Sequence, residues 1–190
     1  PGMYLIVKEA VPEMKFHLST QANNTNWASA KFWHSQGIER IILARELALD
    51  EISEIRQKVS KDLELEIFIH GAMCISYSGR CLLSNYMTGR DSNKGLCAHP
   101  CRWKYFLMEE KSPGEYLPVI ETERGSFIFN SKDLCMIEYI PQIIKAGIKS
   151  VKIEGRMKSS YYVATVVRAY REAIDTYYRD KDNYKYDPLW

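Results

Sequence analysis

No stretch of this 190-residue sequence is apolar for long enough to cross a bilayer, which argues against a membrane span. The first residues, PGMYLIVKEAVPE, lack a basic segment followed by a long apolar run and do not read as a signal peptide. Excess charge is missing too: the formal net charge is +2, so global electrostatics demand no nucleic-acid partner. There is no HExxH motif, and His17, His34, His70 and His99 fall on separate segments, so a zinc protease of that type is not indicated. An even cysteine count is lacking as well. Five cysteines in a chain of cytoplasmic character disfavour a disulfide framework and favour metal binding or catalysis.

What is present is ordinary for one folded domain: 46% hydrophobic and 26% charged residues. Met3 to Val11 predicts an amphipathic helix stopped by Pro12. Lys15 to Ser19 alternates as a strand does. Asn26 caps a helix over Trp27 to Gln36 that Gly37 ends. Ile38 to Ala44 is an isoleucine-rich strand. A helix follows from Leu49 or Asp50 to about Ser60, with Asp50, Glu51 and Glu54 at its positive end. Leu63 to Ile69 is a third strand. Trp103 to Met108, Tyr116 to Glu121 and Ser126 to Asn130 are short β-like runs around turn signals, which suggests a small antiparallel insertion. Tyr139 to Ala146 reads as helix and Lys149 to Ile153 as a fourth main strand. Ser159 caps a long helix to about Tyr178, whose apolar face comprises Val163, Val166, Val167, Tyr170, Ala173, Ile174 and Tyr177. Residues 181–190 read as a linker or tail.

The first three main strands start about 25 residues apart, as in βα-barrel units. The expected fold is therefore α/β, either an open sheet or, the favoured reading, a partial TIM-type (β/α) barrel spanning residues 1–180. The cysteine loop and β insertion would occupy about 71–137. Four units cannot close an eight-stranded barrel, so the preceding units of the same protein are expected partners, and their absence would leave exposed sheet edges. Barrel chemistry sits at the C-terminal strand ends. Those positions hold Ser19, Gln21 and Asn23, then Arg45 and Glu46, then His70, then Glu154 and Arg156. Glu66 and His70 share a strand face by alternation, which suits a metal or a base with an orienting carboxylate. Arg45 and Arg156 suit a carboxylate or phosphate clamp. The alternative is that Arg45 pairs with Glu46 or Glu154 to close the barrel top.

Glu66 to Cys101 concentrates the chemistry, with four of the five cysteines. Six residues separate Cys74 from Cys81, fifteen lie before Cys97, three before Cys101, and thirty-three before Cys135. This is neither a zinc ribbon nor a common ferredoxin spacing, so iron–sulfur and zinc both remain open, beside free packed thiols.

The run Glu66-x-Phe68-x2-Gly71-Ala72-Met73-Cys74-x4-Gly79-x-Cys81-x-Leu83-Ser84 resembles the signature of the U32 peptidase family, the collagenase-like proteins. HLSTQANNTN at 17–26, ARELALDEI at 44–52, PCRWKY at 100–105, NSKDLCMI at 130–137 and KIEGRMKS at 152–159 are similar to stretches of the same family. The resemblance covers nearly the whole chain, which enters the family's barrel partway through. It implies either collagenase-like peptidase activity or RNA hydroxylation with a 4Fe–4S cluster. The members most similar in these motifs are linked to 5-hydroxyuridine at the tRNA wobble position. On that basis Cys74, Cys81, Cys97 and Cys135 are the expected ligands, with Cys101 competing for a place, and zinc is the alternative metal. The expected catalytic set is His70, Glu66, Arg45, Glu154 and Arg156. The expected RNA contacts are Arg80, Arg90, Arg102, Lys104 and Tyr105, with Lys94, Tyr77, Tyr86 and Trp103 beside them. A small carboxylated metabolite would suit the arginines. A peptide or collagen-like substrate belongs to the peptidase reading, and a non-catalytic scaffold with structural zinc is a third.

Overall fold

The computed structural model describes residues 1–74, 76–77, 80–103, 105–118 and 133–190. It opens with α1 (Gly2–Ala10) and β1 (Phe16–Leu18). Asn26 Oδ1 then accepts the Ser29 N–H at 2.9 Å and starts α2 (Trp27–Ser35), which Gly37 ends with φ +98°. β2 (Ile38–Ile42) stops before Ala44, whose N–H leaves the sheet for Asn24 O at 3.0 Å. At the start of α3 (Leu49–Lys58) the Glu51 carboxylate accepts the Ala48 N–H at 2.8 Å. β3 (Glu64–Gly71) follows, then α4 (Leu83–Thr88).

β4 (Phe106–Leu107) and β5 (Leu117–Pro118) form a separate antiparallel ribbon, in agreement with a small β insertion. The run Ser126 to Asn130 lies outside the described residues. β6 (Leu134–Cys135), α5 (Ile140–Lys145), β7 (Ser150–Glu154) and α6 (Ser160–Arg179) complete the chain, with Ser159 Oγ accepting the Tyr162 N–H at 3.2 Å.

β1, β2, β3 and β7 run parallel side by side, and β6 adds antiparallel to the end of β3. The sheet is mixed and does not close, so the fold is α/β; a barrel is not formed by the described residues. β6, with two residues, is too short to show as alternation in sequence.

One core lies between the sheet and the helices. Leu65, Ile67 and Ile69 of β3 pack with Ala30, Ile52, Ile55, Ile140, Ile143, Tyr170 and Ala173. The long α6 follows its predicted stripe through Tyr170, Ala173 and Tyr177, but Val167 is 47% exposed and Ala169 packs instead. Residues 181–190 do not trail away as a linker: Tyr184 and Trp190 pack against the core, and the Tyr184 ring meets Tyr177 edge-on at 5.4 Å.

The opposite face of the sheet is polar. Glu66 is its hub, accepting from Ser150 Oγ at 2.7 Å and pairing with Arg40 at 3.5 Å and Lys152 at 3.9 Å. Arg40 Nε also donates to Glu64 at 2.8 Å. Among the described residues no helix is long and apolar enough to cross a membrane.

Candidate functional site

A pocket of about 170 Å³ opens where the parallel strands end. β1 delivers Ser19, Thr20 and Gln21 to it, β2 Arg45, β3 Met73 and Cys74, and β7 Glu154 and Arg156. Ligand sites of α/β sheets form at this edge because the loops there diverge from a rigid frame. The loop after β3 then brings Cys81, Cys97, His99, Cys101 and Arg102 around the same space.

Gly71 makes the turn into this loop possible. Its φ is +102°, and a Cβ there would lie 2.2 Å from Glu154 O, so β3 and β7 can approach only because the side chain is a hydrogen. Beyond it, Arg45 Nη1 donates to Ala72 O at 2.8 Å and lies 3.7 Å from Cys74 Sγ. Its guanidinium stacks over Phe68 at 3.9 Å. Among the described residues, Arg45 Nε and Ser92 Oγ are buried and find no hydrogen-bond partner, so both present unused polar valence at the pocket. Arg45 forms no ion pair with Glu46 or Glu154. Glu154 Oε1 instead accepts the Arg156 N–H at 2.9 Å.

Four thiols, those of Cys74, Cys81, Cys97 and Cys101, line the pocket. Burial pushes the Cys74 thiol up, against the pull of Arg45, and the neighbouring thiols of Cys97 and Cys81 add to the rise. Burial likewise raises Cys101, with Arg102 opposing. Among the described residues no three His, Cys, Asp or Glu side chains approach closely enough to hold a metal ion. In kind and number the donors nonetheless fit a thiolate-bound metal centre, since soft thiolates in fours are what iron–sulfur clusters and structural zinc take.

Cys135 lies apart from this group. It is exposed on β6, opposite His70 in the sheet register, with Sγ 4.0 Å from Tyr170 Oη. The pocket lining therefore gathers Cys101 with Cys74, Cys81 and Cys97, and Cys135 is not among the residues that line it.

Glu66 and His70 are not brought together. The β3–β7 register slips between Phe68 and His70, which adds one residue to β3 and breaks the alternation the sequence pattern assumed. Glu66 stays with Arg40, Ser150 and Lys152, while His70 meets α6: its Nε2 is 3.0 Å from Tyr162 Oη and its Nδ1 3.4 Å from Tyr170 Oη. Desolvation lowers the His70 pKa, and it lowers that of His99 in the pocket.

Sequence reasoning missed Asp133. Its carboxylate meets Arg102 Nη1 at 2.9 Å and Lys158 Nζ at 2.9 Å, and accepts from Tyr162 Oη at 3.3 Å. Burial alone would raise its pKa, but these partners outweigh that and hold it low. The only signal in sequence was an acidic residue two positions before Cys135 in NSKDLC. Arg102, expected at an RNA surface, is engaged internally by Asp133 and by Met73 O at 3.0 Å.

Of the other expected RNA contacts, Arg80 and Arg90 are exposed, and Arg90 Nη2 lies 3.9 Å from Met157 Sδ. Tyr105 stacks on Trp103 at 6.3 Å, and Lys104 lies outside the described residues. Tyr86 is 85% and Tyr77 63% exposed near the thiol loop.

A cysteine-bearing loop at the end of β3, framed by the motifs around Cys74 and Cys81, is what the U32 resemblance led one to expect. The family model described as Peptidase family U32 matches residues 1–190. The chain belongs to this family. Among the U32 relatives, tRNA hydroxylation protein P of Escherichia coli strain K12 is 44% identical, over 92% of this chain and 47% of its own length. tRNA hydroxylation protein P1 of Bacillus subtilis strain 168 is 48% identical over 96% of this chain and 43% of its own. An uncharacterized protease of Methanocaldococcus jannaschii is 48% identical over 86% and 40%. The chain thus spans less than half the length of these curated relatives. No solved structure matches it.

Proposed function

We propose that this chain is the thiol-bearing part of a U32 enzyme that hydroxylates RNA, acting in the cytoplasm on a tRNA wobble uridine to form 5-hydroxyuridine. The observation that carries the reading is similarity over more than nine-tenths of the chain to two proteins named for tRNA hydroxylation. The pocket is chemically suited to it. Its thiols would hold a 4Fe–4S cluster, with zinc the alternative, and a bound cluster supplies one-electron redox chemistry. Cys74, Cys81 and Cys97 are the common ligands of this proposal. Cys135 and Cys101 compete for the fourth place, and iron content after replacing each by serine decides between them. Arg45 and Arg156, with Lys152 on the same wall, would clamp the carboxylate of a small co-substrate. Glu154 orients Arg156 through its backbone N–H.

With Arg102 engaged internally, phosphate contacts fall to Arg80, Arg90 and Lys104, and base stacking to Tyr105 with Trp103 and Tyr86. In this reading Glu66 and His70 support the site from either face of β3. The open sheet is read as part of a (β/α) barrel: among the described residues β1 pairs only with β2, and its other edge would receive strands from the remaining length of the protein.

Proteolysis is the second reading, favoured by the similarity to an uncharacterized protease. Against it, among the described residues no histidine ring is hydrogen-bonded to a thiol, as nucleophile activation requires. Nucleoside analysis of tRNA from a strain lacking the full-length gene tests the choice. Loss of 5-hydroxyuridine derivatives is expected, and unchanged levels would shift the assignment to the peptidase.

A further inference from the structure

The main chain between β3 and Cys74 is held by two arginines. Arg45 Nη1 donates to Ala72 O at 2.8 Å, and Arg102 Nη2 donates to the next carbonyl, Met73 O, at 3.0 Å. Arg102 is itself aimed, because its Nη1 meets Asp133 Oδ1 at 2.9 Å, with side-chain exposures of 17% and 26% for the two residues. One guanidinium thus spans a carboxylate and a carbonyl, a task for which its planar fork is suited and an ammonium is not. Asp133 also meets Lys158 Nζ at 2.9 Å and accepts from Tyr162 Oη at 3.3 Å.

We propose that Asp133 is a positioning residue that acts through Arg102. By locking the Met73 carbonyl it fixes the backbone immediately before Cys74 and so presents that thiol to the pocket in one arrangement. The metal half of the test below rests on the reading of the pocket as a thiolate site; the alkylation half does not.

The test uses the full-length protein without metal, titrated with Co²⁺, whose thiolate charge-transfer and d–d bands report tetrahedral binding. Asp133→Asn and Arg102→Lys are each expected to weaken Co²⁺ binding about tenfold or more, as loss of an outer hydrogen-bond partner does at metal sites. Arg102→Lys retains the positive charge opposite Asp133 but gives up the fork. Asp133→Glu should restore most of the affinity. Lys158→Met removes another partner of Asp133 while leaving in place the Arg102 fork and its bond to Met73 O. It should lower the denaturation midpoint while changing Co²⁺ affinity less than about threefold, as an outer ion pair does.

The second readout is the alkylation rate of Cys74 by iodoacetamide at fixed pH, followed by mass spectrometry. It should change at least about threefold in Asp133→Asn and Arg102→Lys and not in Lys158→Met. If the wild type gives no cobalt spectrum, the thiolate-site reading fails and alkylation alone decides the positioning role. If Asp133→Asn does not fold, Arg102→Lys decides by the same two readouts. Wild-type affinity and wild-type alkylation in both variants would overturn the proposal. So would parallel losses in Lys158→Met, which would reduce Asp133 to a structural ion pair.

Discussion

Replacing Gly71 by alanine tests the claim that the thiol loop exists because β3 and β7 touch without a side chain between them. At φ +102° an alanine carries a strain of about 1–3 kcal/mol. Its Cβ would also sit 2.2 Å from Glu154 O, a backbone atom that can retreat only if β7 moves. Forced repacking of this kind costs about 1–3 kcal/mol more. The reduced entropy of the unfolded chain returns only about 0.4–1 kcal/mol. The net expectation is a loss of roughly 1–5 kcal/mol. Gly89→Ala is the internal control, because Gly89 also has positive φ, +67°, but nothing within 4 Å of an added Cβ. It should cost about 1 kcal/mol, the conformational part alone. Urea unfolding of both variants, followed by circular dichroism, measures the difference. If Gly71→Ala were no worse than Gly89→Ala, the close approach of the strands would not matter and the reasoning would be wrong.

Other outcomes follow from the same geometry. Glu66→Gln should lose about 2–3 kcal/mol in urea unfolding, because Ser150, Arg40 and Lys152 converge on one largely buried carboxylate. His70 and His99 are both held below the ordinary imidazole pKa by desolvation, so the unfolded chain takes up protons first as pH falls below about 6.5. Stability should therefore decline with falling pH from there, and His70→Gln should flatten the decline in midpoint-against-pH curves. Arg156→Lys in the full-length protein should abolish or sharply reduce hydroxylated uridine in cells if Arg156 clamps a co-substrate; an unchanged level would refute the clamp.

Much of the frame was legible in the sequence. Asn26, Ser159 and Gly37 announced helix ends by local chemistry, and the isoleucine-rich strands declared themselves by burial on the core face. The thiol loop was legible from its cysteines and its family motif. What escaped depended on tertiary register. The slip between Phe68 and His70 leaves no mark in composition, yet it separates Glu66 from His70. Tyr184 and Trp190 looked like tail residues because the Tyr184 partner, Tyr177, lies a helix end away, and Trp190 packs in turn on Tyr184. Asp133 was overlooked because its partners come from two distant segments, Arg102 from the thiol loop's end and Lys158 and Tyr162 from around the start of α6. The grouping of Cys101 rather than Cys135 with the other thiols was likewise a matter of how the loop folds back, which spacing does not encode.

The most direct test of the account is complementation of the deletion strain with full-length protein in which Cys74, Cys81 or Cys97 is replaced by serine, reading tRNA nucleosides by mass spectrometry. The account predicts that wild type restores 5-hydroxyuridine derivatives and that none of the three variants does, although each accumulates as folded protein. Full restoration by all three variants would contradict it.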